Sequence, residues 1–140
     1  MNPVIWGPPA WDFLHTITFN YPTRPTQSDM DQAILFFKSL GNMLPCVVCQ
    51  EHYKENIKKF PIETAVISRE RLIAWLVNIH NQVNIVLGKK VYGINDIIEK
   101  YHNKFGLLQD NNFKGEGKNI YIYLSLLLIL IVLVCYIIII

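Results

Sequence analysis

Apolar positions recur at three- and four-residue intervals through most of the first 106 residues, and two-residue alternation is not sustained anywhere. The pattern predicts five helices. Pro8-Pro9 can open the first, which runs through Phe19 with Trp11, Leu14, His15 and Thr18 at helical spacing. Tyr21-Pro22 stops it, and Pro25 helps to form a loop. Ser28 is the expected cap of a second helix reaching Met43, with Ile34, Leu35 and Phe37 in its apolar positions. Pro45 precedes a third helix, from Cys46 to about Lys59, which Pro61 ends. Ser68 can cap a long fourth helix to Leu87, closed by Gly88. A shorter fifth spans about Ile94 to Phe105 and is closed by Gly106. Short connections between helices of this length favour a compact all-α fold: a four-helix bundle plus a short fifth helix.

The pattern changes after residue 106. Residues 107–119 contain QDNNFKGEGKN, a turn-prone linker composition. Residues 120–140 carry no charge at all. As a helix, this stretch would rise about 31 Å, one bilayer core. Tyr121 and Tyr123 stand at its start, where amphipathic rings favour an interface. Lys114 and Lys118 precede it and no charged residue follows. The expectation is therefore a C-terminal transmembrane helix: a single-pass, tail-anchored protein whose head, residues 1–119, faces the cytoplasm. The N-terminus, MNPVIWGPPAWDF, lacks the basic and apolar regions of a signal peptide. The expected organisation is a folded domain over 1–106, a linker over 107–119 and a membrane anchor over 120–140.

A chain of 140 residues with a formal charge of +2, its acids and bases interleaved, offers no basic stripe for a nucleic acid. Cysteine is sparse. Cys46 and Cys49 form a Cys-x-x-Cys pair after Pro45, and Cys135 lies in the apolar run. Two thiols at a helix start can close into a small, reducible disulfide, and the helix N-terminus lowers the pKa of the first thiol. The same spacing also serves as half of a zinc site. In the fourth helix, His80, Asn81 and Asn84 fall in one sector among Val77, Val83 and Leu87. Such donor–acceptor side chains suit a buried heterocycle with mixed edges, and Lys89 and Lys90 just beyond could meet phosphates. A solvated asparagine face, with lysines complementing the helix dipole, fits equally well. The residues alone leave both readings open. Trp11 and His15, one turn apart, share a face, and Gly7 permits close backbone approach. On its own, such a Trp/His pair is more often core than cofactor site.

Three blocks occur in order: Trp6-Gly7 with Trp11 and His15; Pro45-Cys46-x-x-Cys49 with His52 and Tyr53; and WLxxxHNxVNxxLGKxxY, from Trp75 to Tyr92. Together they resemble the Erv/ALR family of sulfhydryl oxidases, over about residues 3–106. The short, cysteine-poor head is similar to the minimal viral members. The resemblance implies a helical bundle with FAD in its mouth, usually homodimeric. Gly7, Trp11 and His15 match the first flavin-contacting block, and His80, Asn81, Asn84, Lys89 and Lys90 match the second. Tyr101 falls where the family often has an adenine-packing Trp. The implied activity is oxidation of a protein dithiol, or of a thioredoxin-like carrier, through Cys46 and Cys49 to FAD and then O₂, giving a disulfide and hydrogen peroxide. Two departures stand out. The positions of a structural disulfide common in cellular members are Val77 and Ile94 here, and no second cysteine pair is present to serve as a shuttle. The expected membrane is that of a host or a virion. No metal site is expected on this reading. The alternative is a zinc-binding, membrane-anchored adaptor using Cys46, Cys49, His52 and a distal histidine, although Cys-x-x-Cys-x-x-His on one helix is poor spacing for enclosing an ion.

Overall fold

Asn2 begins the fold: its side-chain oxygen accepts the Val4 N–H at 3.0 Å, and Pro3 occupies the first helical position, where a missing N–H costs nothing. The computed structural model of this chain describes residues 1–105 and Ile129. Helix α1 spans Pro3–Asn20, so it starts five residues before the expected Pro8-Pro9 opening and contains both prolines. Helix α2, Gln27–Met43, is capped by Thr26 rather than Ser28. Thr26 Oγ1 accepts the Asp29 N–H at 3.2 Å and the Asp29 carboxylate accepts the Thr26 N–H at 2.8 Å, a reciprocal capping box. Helix α3 is Val47–Lys59, with Cys46 as its cap. A 3₁₀ turn at Ile62–Thr64, absent from the sequence reading, leads to α4, Arg69–Val86, capped by Ser68. Helix α5, Ile94–Phe105, lies where the periodicity puts it.

The helices pack in pairs, α1 on α4 and α2 on α3, with α3 and α5 also against α4. Leu72, Ile73, Leu76 and Ile79 of α4 are fully buried, and Phe37, Tyr53, Trp75 and Ile62 close the core around them. The polar tips of three core rings are satisfied: Tyr53 Oη donates to the Phe37 carbonyl at 2.9 Å, Trp75 Nε1 to Phe60 at 2.8 Å and Tyr21 Oη to Val66 at 2.8 Å. Arg69 also donates to the Tyr21 carbonyl. The end of α1 therefore meets the start of α4, and the two helices run antiparallel.

The expected transmembrane helix is corrected. Among the described residues no helix is long and apolar enough to cross a membrane, and residues 120–140, except Ile129, lie outside the described residues. Among the described residues the fold is an all-α bundle of five helices, with no helix that spans a membrane and no strand. The tail-anchored, cytoplasm-facing placement and the attachment to a host or virion membrane fall with it. The physical reason lies in the helices themselves. Each of the two longest carries a polar side, such as Asp12 and Thr16 on α1 or Arg69, Glu70 and Arg71 on α4, and directs its apolar side into the bundle rather than toward lipid. The linker expected over 107–119 also lies outside the described residues.

Candidate functional site

Cys46 and Cys49 are joined in a disulfide with their Cα atoms 5.2 Å apart. The local sequence dictates this geometry. Pro45 ends the α2–α3 connection, and Cys46 follows in extended backbone as the N-cap of α3. A cap points its side chain back over the first turn, so Cys46 Sγ accepts the Cys49 N–H at 3.3 Å. The same N–H, with the positive end of the helix dipole, stabilises a thiolate at Cys46. Both cysteines are half-buried, open to a partner thiol. Gln50 holds this corner by donating to the Leu44 carbonyl at 2.7 Å, which ties the first turns of α3 to the end of α2.

A second cluster lies between α1, α4 and α5. Trp11 and His80 stack face to face, 3.9 Å between centroids and 6° between planes. His15 Nε2 and His80 Nδ1 are 3.1 Å apart, so one imidazole donates to the other. Tyr101, fully buried, packs its ring 4.9 Å from that of His15. Burial, then the neighbouring His80, pushes the pKa of His15 down to about 3; burial, then the charges of Lys100 and Lys89, pushes that of His80 down to about 4. Both rings are neutral at pH 7.

Three buried nitrogens in this region have no partner: Trp6 Nε1, His15 Nδ1 and Asn84 Nδ2. His15 is fully buried and Asn84 is 5% exposed. Leaving a buried polar group unpaired costs about 1–3 kcal/mol each, so three on one helix pair mark a surface built for something polar. Because α1 and α4 are antiparallel, Asn84, one turn beyond His80, and Trp6, before Trp11, lie toward the same end of the pair. A Cβ added at Gly7 would meet nothing within 4 Å, so Gly7 borders open space there.

The structure thus brings Trp11, His15, His80 and Tyr101 together and puts Asn84 and Gly7 beside them. Asn81 differs. Its amide donates to the Tyr92 carbonyl at 2.8 Å and its oxygen accepts the Tyr92 N–H at 3.0 Å, so both groups clamp the loop before α5. Lys89 and Lys90 are exposed beyond Gly88, and Lys90 Nζ lies 5.4 Å from the Tyr92 ring. The disulfide sits on the α2–α3 side of the bundle and makes no hydrogen bond to the histidine cluster among the described residues. His52 is exposed on α3, and no group of three His, Cys, Asp or Glu residues that could hold a metal occurs among the described residues. Sequence reasoning missed Trp6 as a site residue and missed Asp12, which accepts a hydrogen bond from Tyr101 Oη at 2.8 Å. The Trp6 signal was present, beside Gly7; the Asp12 contact spans 89 residues and has no local signature.

A helical bundle that mounts a reducible cysteine pair on one helix start, and an aromatic, donor-rich recess on another helix pair, defines a thiol–disulfide redox protein. The Erv1 / Alr family model matches residues 8–103, and the chain belongs to that family. It is 38% identical over 100 residues to a protein of Acanthamoeba polyphaga mimivirus named as a probable FAD-linked sulfhydryl oxidase, covering 71% of this chain and 70% of that one. It is 36% identical over 86 residues to the FAD-linked sulfhydryl oxidase ERV1 of Arabidopsis thaliana, covering 61% of this chain but 44% of the relative. Among solved structures, the FAD-binding domain of Erv1 from Saccharomyces cerevisiae superposes with a TM-score of 0.69 at 26% identity, covering 74% of this chain and 96% of that one.

Proposed function

We propose that this chain is an FAD-dependent sulfhydryl oxidase that converts dithiols to disulfides and passes the electrons to O₂, giving hydrogen peroxide. The observation that carries the reading is the Cys46–Cys49 disulfide at the N-cap of α3, within a fold shared with the FAD-binding domain of Erv1. The chain is similar to proteins named FAD-linked sulfhydryl oxidases in a virus, a plant and a yeast. The oxidase domain is residues 1–106.

The cofactor reading is supported by the recess itself. Trp6 Nε1–H and the Asn84 amide offer unpaired donors, and His15 Nδ1 offers a donor or acceptor according to tautomer. These match a flavin edge and ribose hydroxyls, and Gly7 leaves room for close approach. We assign Gly7, Trp11, His15, His80, Asn84 and Tyr101 to holding FAD, with Lys89 and Lys90 toward its phosphates. Asn81 acts through its clamp on Tyr92. Bound FAD supplies the two-electron acceptor that links the reduced cysteine pair to O₂.

The protein's own chemistry follows from the N-cap. A substrate thiolate attacks Cys46 Sγ; the Cys46–Cys49 bond breaks and Cys49 leaves as a thiolate. The second substrate thiolate then attacks its partner sulfur in the mixed disulfide, releasing Cys46 as a thiolate. Two electrons have moved from substrate to the cysteine pair. The second step is helped where the structure helps it: the departing Cys46 sulfur faces the Cys49 N–H and the helix N-terminus, and a better-stabilised leaving thiolate departs faster. The electron donor is a protein dithiol, of a substrate or of a thioredoxin-like carrier, because the chain has no second cysteine pair of its own. A homodimer is supported by exposed apolar side chains on α1 and α2, Phe13 and Leu35, which a second copy would cover. Sedimentation equilibrium tests this: a concentration-independent monomer mass would end it.

The reading is tested by Cys46→Ser and Cys49→Ser. Each should abolish oxygen consumption with a small dithiol while the purified protein keeps its flavin absorbance. Full turnover in either variant would refute the cysteine relay.

A further inference from the structure

The carboxylate of Asp12 is the point at which α1 holds α5. It accepts the Tyr101 hydroxyl at 2.8 Å through Oδ1 and pairs with Lys104 through Oδ2. Tyr101 and Lys104 are neighbours on one face of α5, three residues apart. Asp12 and His15 have the same relation on α1. The ring whose hydroxyl Asp12 holds is therefore the ring that packs against His15 and, at 5.7 Å, against Phe19.

We propose that Asp12 is a positioning residue for the cofactor site, fixing Tyr101 and with it α5 against the His15–His80 pair, so that FAD retention depends on the Asp12–Tyr101 hydrogen bond. The inference rests on the cofactor reading above. Its first support is chemical. A tyrosine with no exposed surface needs a partner for its hydroxyl, and a phenylalanine or tryptophan of similar bulk would not need this one. The second is the fixed direction of the bond. Burial alone would raise the pKa of Asp12, but hydrogen bonds from Lys104 and Tyr101, with the charges of Lys104 and Lys100, hold its carboxyl below the ordinary range. Burial, then the neighbouring Asp12, pushes the Tyr101 hydroxyl up. Tyr101 is the donor and Asp12 the charged acceptor throughout the neutral range. The third is position. α5 is fastened at two places, by Asn81 gripping Tyr92 just before it and by Asp12 gripping Tyr101 near its end. Between those fastenings α5 rests on α4, which carries His80 and Asn84. A helix held at only one place could swing its tyrosine away from His15 with the core intact.

The test measures FAD affinity of the full chain by flavin fluorescence, at a temperature far below the melting midpoint of every variant. Under that condition a merely structural loss of stability does not move the dissociation constant. Asp12→Ala and Tyr101→Phe should each weaken FAD binding about tenfold, the loss expected of one hydrogen bond to a charged acceptor. The double variant should be no weaker than Asp12→Ala alone, because the Asp12–Tyr101 contact is already absent there. Asp12→Asn, which keeps an acceptor oxygen but loses the charge, should recover most of the affinity, and with Tyr101→Phe it carries the test if Asp12→Ala does not fold. Parental affinity in both Asp12→Ala and Tyr101→Phe, or losses that multiply in the double variant, would overturn the proposal. A parent chain that binds no FAD would instead overturn the functional reading on which it rests.

Discussion

His15 and His80 face each other through ring nitrogens 3.1 Å apart, inside a shell formed by Trp11 and Tyr101. A proton added to either ring must enter a site with little water and with the Lys100 charge nearby; Asp12 offsets this only in part. The consequence for stability has a definite sign. With folded-state values of about 3 and about 4 against an unfolded value of 6.5, the unfolded chain binds protons first as the medium acidifies. The stability tied to these neutral rings is present above pH 6.5 and is lost progressively toward pH 3. Urea unfolding at pH 7.5 and pH 5 should show the parent losing stability across that interval. His80→Gln, which removes one of the two titrating rings, should lose clearly less, and an equal loss in both proteins would remove His80 as a cause. The chemistry of single residues was largely legible in the sequence. Cys46, Cys49, His15, His80 and Asn84 could be singled out because their types are unusual for their surroundings. Asn81 belongs to the same motif, yet its amide is used on Tyr92, and residue type alone cannot say which of two neighbouring asparagines faces a recess.

Element boundaries test how far local signals reach. α4 ends in a Schellman arrangement: the Lys89 N–H reaches the Asn84 carbonyl at 2.8 Å, the Gly88 N–H reaches Ile85 at 3.1 Å, and Gly88 has φ of 63°. A Cβ at Gly88 would meet no atom within 4 Å, so any cost there is conformational rather than steric crowding. Gly88→Ala should destabilise the protein by about 1 kcal/mol. Thr26→Ala should cost about 1 kcal/mol through loss of the capping box, whereas Ser28→Ala should stay within about 0.5 kcal/mol. Denaturant unfolding of the three variants checks both the cap and its position. The ends of α3 and α4 were legible because Cys46 and Pro61, and Ser68 and Gly88, punctuate them locally. α1 was misjudged because a double proline is a stronger visual break than Asn2-Pro3, although the latter pairs a cap with the position proline tolerates best. α2 was misjudged because Thr26 and Ser28 are both competent caps, and Asp29 at the third position decides between them.

At the scale of the molecule, composition was the weaker guide. The apolar run over 120–140 has the length of a membrane span, but hydropathy describes a segment and not the helices the chain forms; none of those described crosses a bilayer. The bundle itself was legible, since periodicity and short connections leave few other all-α solutions. Its closure was not. Tyr92 and Tyr101 fasten α5 to residues 11 and 89 positions earlier, and contacts of the longer kind leave no trace in a local pattern. Those two fastenings also set an order of events during synthesis. Helices α1 to α4 supply nearly all of the buried core and can come together before the last of the head has left the ribosome. The recess, however, lacks one wall until α5 arrives, so FAD capture follows completion of the head and cannot template it. A chain ending at Tyr92 should keep most of its helical circular dichroism yet elute colourless. The full chain should gain about 2.7 kcal/mol of stability at a flavin concentration a hundred times its dissociation constant. If the shortened chain held flavin as firmly as the parent, the cofactor would be an early organiser of this protein rather than the last component to dock.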